Sequence, residues 1–146
     1  MNTLQRFYTA FAQRDWETMG KCYADEARFS DPVFPELDGK GVRAMWKMLL
    51  SSGTDLRVSF KVLEETTTTG VCEWEAIYTF SRTGRRVRNI VRSGFELREG
   101  LIVRQQDEFG FWRWSRQALG MSGHLLGWSP WLLRTVRKQA ASGLAR

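Results

Sequence analysis

The stretch LIVRQQDEFGFWRW, residues 101–114, is the most informative part of the sequence. Its alternation is typical of the last strand of a sheet, with the odd-numbered residues from Leu101 to Phe111 on one face. That face is predicted to be apolar apart from Gln105 and Asp107. A buried carboxylate costs roughly several kcal/mol unless it is paired, hydrated or used. Asp107 therefore needs either a partner or a function.

Working outward, three earlier segments show the same alternation. Apolar residues recur at every second position over 56–62 and 72–80, and over 87–97 apart from Asn89 and Ser93; the positions between them are mostly polar. The dipeptide Glu99-Gly100 predicts a tight hairpin turn into the last strand. Four long strands joined by short turns indicate an antiparallel sheet with one buried face.

Helices are predicted before the strands. Apolar residues spaced three and four apart favour helices at about 3–14 and 41–51, and Asp15 is placed to cap a short helix between them. A short strand over 27–31 ends at Pro32, which disfavours helical dihedrals in the residue before it. Because the helices precede the sheet, the fold class is α+β, with N-terminal helices packed over a curved antiparallel sheet.

The length of the chain suits one domain, residues 1–146, with a basic helical extension predicted at about 113–146. No apolar run reaches the ~18 residues of a membrane span, and the start lacks the pattern of a signal peptide. Cys22 and Cys72 lack metal or redox spacing, which favours reduced core cysteines in a cytoplasmic protein. His124 is the only histidine, so a histidine metal site or Ser-His-Asp triad is not expected. Neither a metal nor another cofactor is predicted.

The net charge of +6 lies entirely in the last part of the chain. Residues 109–146 contain six Arg or Lys and no acid, whereas residues 1–108 sum to zero. A basic tail can meet nucleic acid or anionic lipid, but a solvated helix face is the simpler interpretation, so neither partner is expected. Ser129-Pro130 predicts a helix start. The apolar residues near it predict that this helix packs on its own domain or on a partner subunit: Trp128, Trp131, Leu132, Leu133 and Val136.

Four polar residues interrupt the apolar face of the last two strands. They are Asn89 and Ser93 on one strand and Gln105 and Asp107 on the next. Neighbouring antiparallel strands bring such residues within reach of each other. With aromatic neighbours, this arrangement is typical of a small-molecule pocket. The alternative is a satisfied polar network inside the core.

Three pieces of the sequence resemble the nuclear transport factor 2-like superfamily: RFYTAF (6–11), YADEARFSDPVF (23–34) and GLIVRQQDEF (100–109). The resemblance covers about residues 1–112. The superfamily includes ketosteroid isomerases, scytalone dehydratase, SnoaL-type polyketide cyclases and many non-catalytic binders. It implies a cone-like curved sheet, also called cystatin-like, with the helices over its concave face.

The resemblance to ketosteroid isomerases is partial at the residues that act. Their general base is the Asp of an acidic-Asp-Pro-Val-like segment, which implies that role for Asp31. Their oxyanion-hole Tyr follows Gln-Arg, where this chain has Phe7; Tyr8 points about 100° away around the helix. Their second donor, a protonated Asp, is matched by Ser93. Steroid isomerisation by that mechanism is therefore not expected.

SnoaL-type cyclases place an acid/base Asp on the last strand, and Asp107 resembles it. They keep a His at the position matched here by Ser93, so this likeness is also incomplete. Scytalone dehydratase relies on pocket histidines, whereas His124 lies beyond the core of the predicted fold.

The candidate catalytic residues are Asp31 as a base and Asp107 as a second acid/base. Asp31 has the alternative role of capping the turn before Pro32. Asp107 has the alternative of a salt bridge to Arg92, Arg113 or Arg116. The predicted substrate-binding residues are Tyr8, Trp46, Trp74, Tyr78, Asn89, Ser93, Gln105 and Phe109.

We therefore expect cofactor-independent acid–base chemistry of the isomerase, cyclase or dehydratase type on a small apolar or amphipathic molecule. The alternative is a non-catalytic binder of hydrophobic ligands or a dimeric adaptor domain. A homodimer is expected through the outer sheet face, where Ile77, Ile90 and Ile102 lie among charged residues.

Overall fold

The alternating segments form the strands of one sheet in the computed structural model, which describes residues 2–52, 54–120 and 130–144. The helices are α1 (Thr3–Ala12), α2 (Trp16–Lys21), α3 (Gly39–Ser52), α4 (Phe111–Leu119) and α5 (Pro130–Leu144). The strands are β1 (Tyr23–Ser30), β2 (Leu37–Asp38), β3 (Arg57–Glu65), β4 (Thr69–Phe80), β5 (Arg85–Arg98) and β6 (Leu101–Glu108). None of the described helices is long and apolar enough to cross a membrane.

The sheet has six strands in the order β2-β1-β6-β5-β4-β3, and it is curved and unclosed. The four long strands β3 to β6 are antiparallel, as the sequence predicts. Strand β1 pairs with β6 in the parallel direction, and β2 pairs antiparallel to β1. With the N-terminal helices in place, the predicted α+β class is confirmed. The parallel pair is the feature that strand alternation did not predict.

One irregularity in β6 corrects the predicted faces. Pairing moves from Glu96 opposite Arg104 to Leu97 opposite Ile102, so Val103 is an extra residue in β6. Such a bulge shifts the alternation by one residue. Ile102 is therefore fully buried and Leu101 is half-buried. The prediction that Ile102 lies on the outer face was wrong for this reason.

The N-terminal helices pack by their apolar faces. Helix α1 buries Leu4, Phe7 and Phe11, and a side chain at Gly70 of β4 would collide with Leu4. The backbone of β4 thus approaches α1 closely. Asp15 caps α2 by accepting from the Thr18 amide at 3.1 Å, as predicted.

The C-terminal helices lie against the same body. Helix α4 buries Trp114, Ser115 and Ala118 and packs on β5. Helix α5 packs on α3, and its Ala140 and Leu144 contact the core. The predictions for His124, Trp128 and Ser129, and for the side chains of Trp131 and Leu132, lie outside the described residues.

Candidate functional site

The parallel pairing of β1 with β6 brings the two candidate carboxylates together. Phe29 is paired with Gln105. Because the two strands run in the same direction, the residues two positions further along, Asp31 and Asp107, lie beside each other where the pair ends. Both line one cavity of about 360 Å³.

The cavity wall is mainly apolar and draws on most elements of the fold. Of the predicted binding residues it includes Trp46, Trp74, Tyr78, Asn89 and Phe109. Residues that we did not predict as lining also contribute, among them Val33, Phe34, Met45, Met48, Trp114, Val136 and Gln139. Trp114 donates its indole N–H to the Tyr78 hydroxyl at 2.8 Å, so it fixes one aromatic wall. Asn89 adds a polar group from β5.

Asp107 is held by two hydrogen bonds to a single carboxylate oxygen. Ser93 lies opposite it across the β5–β6 pair and donates to Oδ1 at 2.6 Å. Gln105 donates its Nε2 to the same Oδ1 at 2.9 Å. No described residue donates to Oδ2, so this oxygen is the one with free capacity beside the cavity.

Further hydrogen bonds from neighbouring side chains support Ser93 and Gln105. Trp74 donates to the Ser93 hydroxyl at 2.7 Å. Trp46 donates to the Tyr23 hydroxyl at 2.9 Å, and Tyr23 donates in turn to Gln105 Oε1. A buried chain of donors thus converges on Asp107 Oδ1 from two sides and fixes its orientation.

This network corrects the predicted roles of Ser93 and Gln105. Both are almost fully buried, and neither belongs to the cavity lining. They hold Asp107 in place from behind. Tyr23 was missed as part of the site, because the strand was predicted to begin only at residue 27, whereas β1 begins at Tyr23.

Tyr8 is also placed differently from the prediction. It is fully buried and is not part of the cavity lining. Its ring stacks on Phe60, with centroids 5.3 Å apart, and meets Phe7 edge-on at 5.0 Å. Tyr8 is therefore a core residue behind the cavity wall.

Burial raises the pKa of Asp107 to about 7. The hydrogen bonds from Ser93 and Gln105 lower it, and the nearby charge of Asp31 raises it further. Among the described residues, no arginine forms a salt bridge with Asp107. Arg92, one of the predicted partners, pairs instead with Glu73 at 3.6 Å. A carboxyl group without a cationic partner in an apolar site favours its neutral form.

Asp31 caps its turn and also lines the cavity. Its Oδ1 accepts from the amides of Val33 at 2.7 Å and Phe34 at 2.6 Å, so it caps the turn after β1. It is also part of the cavity wall. Burial raises the pKa of Asp31 to about 6, while the two amides and the charge of Arg137 lower it.

Burial thus raises the pKa values of both Asp31 and Asp107 towards neutral pH, but by different amounts. Such a pair can supply one base and one acid near neutral pH. Within the described residues, no three His, Cys, Asp or Glu side chains are grouped so that they could hold a metal ion.

Comparison with solved structures shows the fold. IdmH, a putative polyketide cyclase from Streptomyces antibioticus, is 21% identical, with a TM-score of 0.67 over 82% of this chain and 96% of that one. An LEH-like epoxide hydrolase from M. tuberculosis is 16% identical, with a TM-score of 0.64 over 85% and 92%. A protein with a ketosteroid isomerase-like fold from Catenulispora acidiphila, in complex with trimethylamine, is 10% identical, with a TM-score of 0.68 over 80% and 91%.

At these identities the likeness concerns architecture alone. No curated protein matches the chain as a relative. The family model of the SnoaL-like domain matches residues 4–105, which include β1, the turn after it and most of β6. The sequence match and the common architecture agree, and the chain belongs to the SnoaL-like domain family, with an NTF2-like fold.

Proposed function

We propose that the cavity binds a small, largely apolar molecule and catalyses acid–base chemistry on it without a cofactor, with Asp31 as the base and Asp107 as the acid. The observation that supports this is the pair of carboxyl groups on one apolar cavity, with pKa values raised to about 6 for Asp31 and about 7 for Asp107. A catalytic acid or base works best when its pKa lies near the working pH.

The surroundings of the two groups support this division of roles. Two backbone amides and Arg137 favour the ionised form of Asp31, whereas the charge of Asp31 disfavours ionisation of Asp107. Because Oδ1 of Asp107 already accepts from Ser93 and Gln105, its proton belongs on Oδ2. From there it can be donated to a carbonyl or hydroxyl oxygen of the substrate while Asp31 removes a proton.

The walls define the substrate class. Apolar walls with a few polar groups are typical of sites for small organic molecules. Aromatic side chains such as Trp46 and Trp74 suit a ring-bearing substrate, and Asn89 offers a further polar contact. We expect an isomerase, cyclase or dehydratase type of reaction on a carbonyl or hydroxylated compound. Two structural neighbours, a putative polyketide cyclase and an LEH-like epoxide hydrolase, are also named for reactions of small molecules.

Exchange of deuterium into an apolar ketone tests the base directly. With 2-tetralone in D2O, the wild-type protein should accelerate exchange of the protons next to the carbonyl, followed by proton NMR. Asp31→Asn should reduce the enzymatic rate by roughly 10²-fold or more. Asp25→Asn is the matched control, because the Asp25 side chain is 96% exposed and pairs with Arg43 on the surface.

A second candidate function is non-catalytic binding of a hydrophobic ligand. The observation that favours it is the structural use of Asp31, whose Oδ1 is committed to the amides of Val33 and Phe34. In that case 2-tetralone would quench the fluorescence of the cavity tryptophans, but exchange would equal that in buffer. The same rate in wild type and Asp31→Asn would reject the catalytic proposal.

A further inference from the structure

Helix α5 forms part of the cavity although it lies outside the family match. The SnoaL-like match ends at residue 105, whereas α5 supplies Val136, Gln139, Ala140 and Gly143 to the cavity lining. Its packing on α3 is close, since a Cβ at Gly143 would lie 3.2 Å from the sulfur of Met48. The wall that α5 provides therefore lies outside the matched residues.

One side chain of α5 binds the turn that carries Asp31. Arg137 donates its Nε to the carbonyl oxygen of Pro32 at 2.9 Å. Pro32 lies directly after Asp31, inside the turn closed by the Asp31 amide and the Phe34 carbonyl at 2.8 Å. The Arg137 side chain is half-buried, so its charge is only partly screened by water. Its bond holds the turn from the side of the helix.

We propose that Arg137 is a positioning residue of this site: by binding the Pro32 carbonyl it fixes the Asp31 turn against α5 and favours the ionised, base form of Asp31. This rests on the proposed function in one respect, the use of Asp31 as the base. The geometry itself does not depend on turnover. Arg137 would then give the basic C-terminal segment a role inside the molecule.

The charges around Asp31 determine the expected sign. Asp107 on β6 faces it, and the charge of Asp31 raises the pKa of Asp107. Arg137 on α5 favours ionisation, as do the amides of Val33 and Phe34 in the turn itself. Without the guanidinium, burial acts against the two amides alone. The pKa of Asp31 should therefore rise when Arg137 is neutralised.

The experiment compares two arginines of the same helix in the full-length chain. Arg137→Gln removes the charge and the bond to Pro32, while Arg134→Gln removes an equal charge from an exposed position one turn earlier. Carboxyl carbon NMR follows the titration of Asp31 in each protein. The pKa of Asp31 should rise in the Arg137 variant and stay at the wild-type value in the Arg134 variant. Equal titration curves in all three proteins would overturn the proposal.

A second readout separates positioning from simple anchoring. Hydrogen exchange of the α5 amides should become faster in Arg137→Gln than in Arg134→Gln, because the link to the turn is lost. Faster exchange with an unchanged Asp31 titration would show a structural anchor only and would reject the proposal. Arg137→Met keeps a long apolar stem for packing and replaces Arg137→Gln if that variant fails to fold. Neither readout needs turnover. A negative deuterium-exchange assay would therefore reject the proposed catalytic function but would not decide the role of Arg137.

Discussion

The cost of the site in folding stability falls mainly on the buried carboxyl group of Asp107. Its side chain is almost fully buried and its pKa is raised from 3.8 to about 7. A raised carboxyl pKa means that the folded state holds its proton more tightly than the unfolded state does. Its contribution to stability is therefore fully present below about pH 4 and is lost as the pH rises through about 7.

Asp107→Asn should remove this pH-dependent loss. Asn can still accept from Ser93 and Gln105 through its amide oxygen, and it carries no charge. We expect the variant to be more stable than wild type at pH 8, by roughly 2–4 kcal/mol from a shift of about three pKa units, and close to wild type at pH 4. Urea unfolding at both pH values checks this. A variant less stable than wild type at pH 8 would contradict the assigned burial cost.

Ser93 is predicted to matter through Asp107. Ser93→Ala removes a hydrogen bond that lowers the pKa of Asp107, so that pKa should rise further. It also leaves the Trp74 indole N–H without its acceptor, which should cost roughly 1–3 kcal/mol of unfolding free energy. Carboxyl NMR and urea unfolding measure the two effects. Ser59→Ala, at an exposed position of β3, is the control and should change neither quantity.

At the scale of elements, periodicity predicted most of the fold and part of the site. The strand alternation located Asn89, Ser93, Gln105 and Asp107 on the inner face, and local chemistry predicted the Asp15 cap. Two features lay beyond periodicity. The bulge at Val103 depends on pairing with β5, and the parallel pairing of β1 is a tertiary choice that no local pattern encodes. That pairing is also what brings Asp31 beside Asp107.

The alternation pattern could not distinguish residues that line the cavity from residues that support them, for a similar reason. Alternation assigns a side of the sheet but not the depth at which a side chain ends. Ser93 and Gln105 share the face of Asp107, yet they bond to it instead of lining the cavity. Helix α5 was predicted to pack back on its own domain or on a partner subunit, but nothing in its sequence indicated contact with the Asp31 turn.

The element-scale prediction concerns α5. Deleting residues 124–146 removes Ala140 and Leu144 from the core contacts and the Arg137 bond to Pro32. The loss of about 2 kcal/mol or more should lower the melting temperature by several degrees. Sedimentation with anionic liposomes should be the same for both proteins. Unchanged melting together with lost liposome binding would identify the tail as a membrane-binding segment.

At the scale of the whole molecule, the outer face of the sheet has no partner within the described chain. Ile90 is 48% exposed and Ile77 half-buried on this face, among charged neighbours that include Arg88 and Glu75, paired at 2.9 Å. With Ile102 turned into the core, the apolar part of the face is smaller than the sequence suggested. A mixed surface of this kind fits a moderately polar subunit interface.

We therefore predict a homodimer through the outer face, with Ile90 near its centre. Light scattering should give twice the 17.0 kDa mass of one chain. Ile90→Glu should shift the protein towards the mass of one chain, because each subunit would then bury an unpaired carboxylate in the interface. Lys40→Glu changes the charge at an exposed position of α3, away from this face, and should leave the mass unchanged. A wild-type protein with the mass of one chain at micromolar concentration would reject the dimer. A wild-type dimer that persists in Ile90→Glu would place the interface elsewhere.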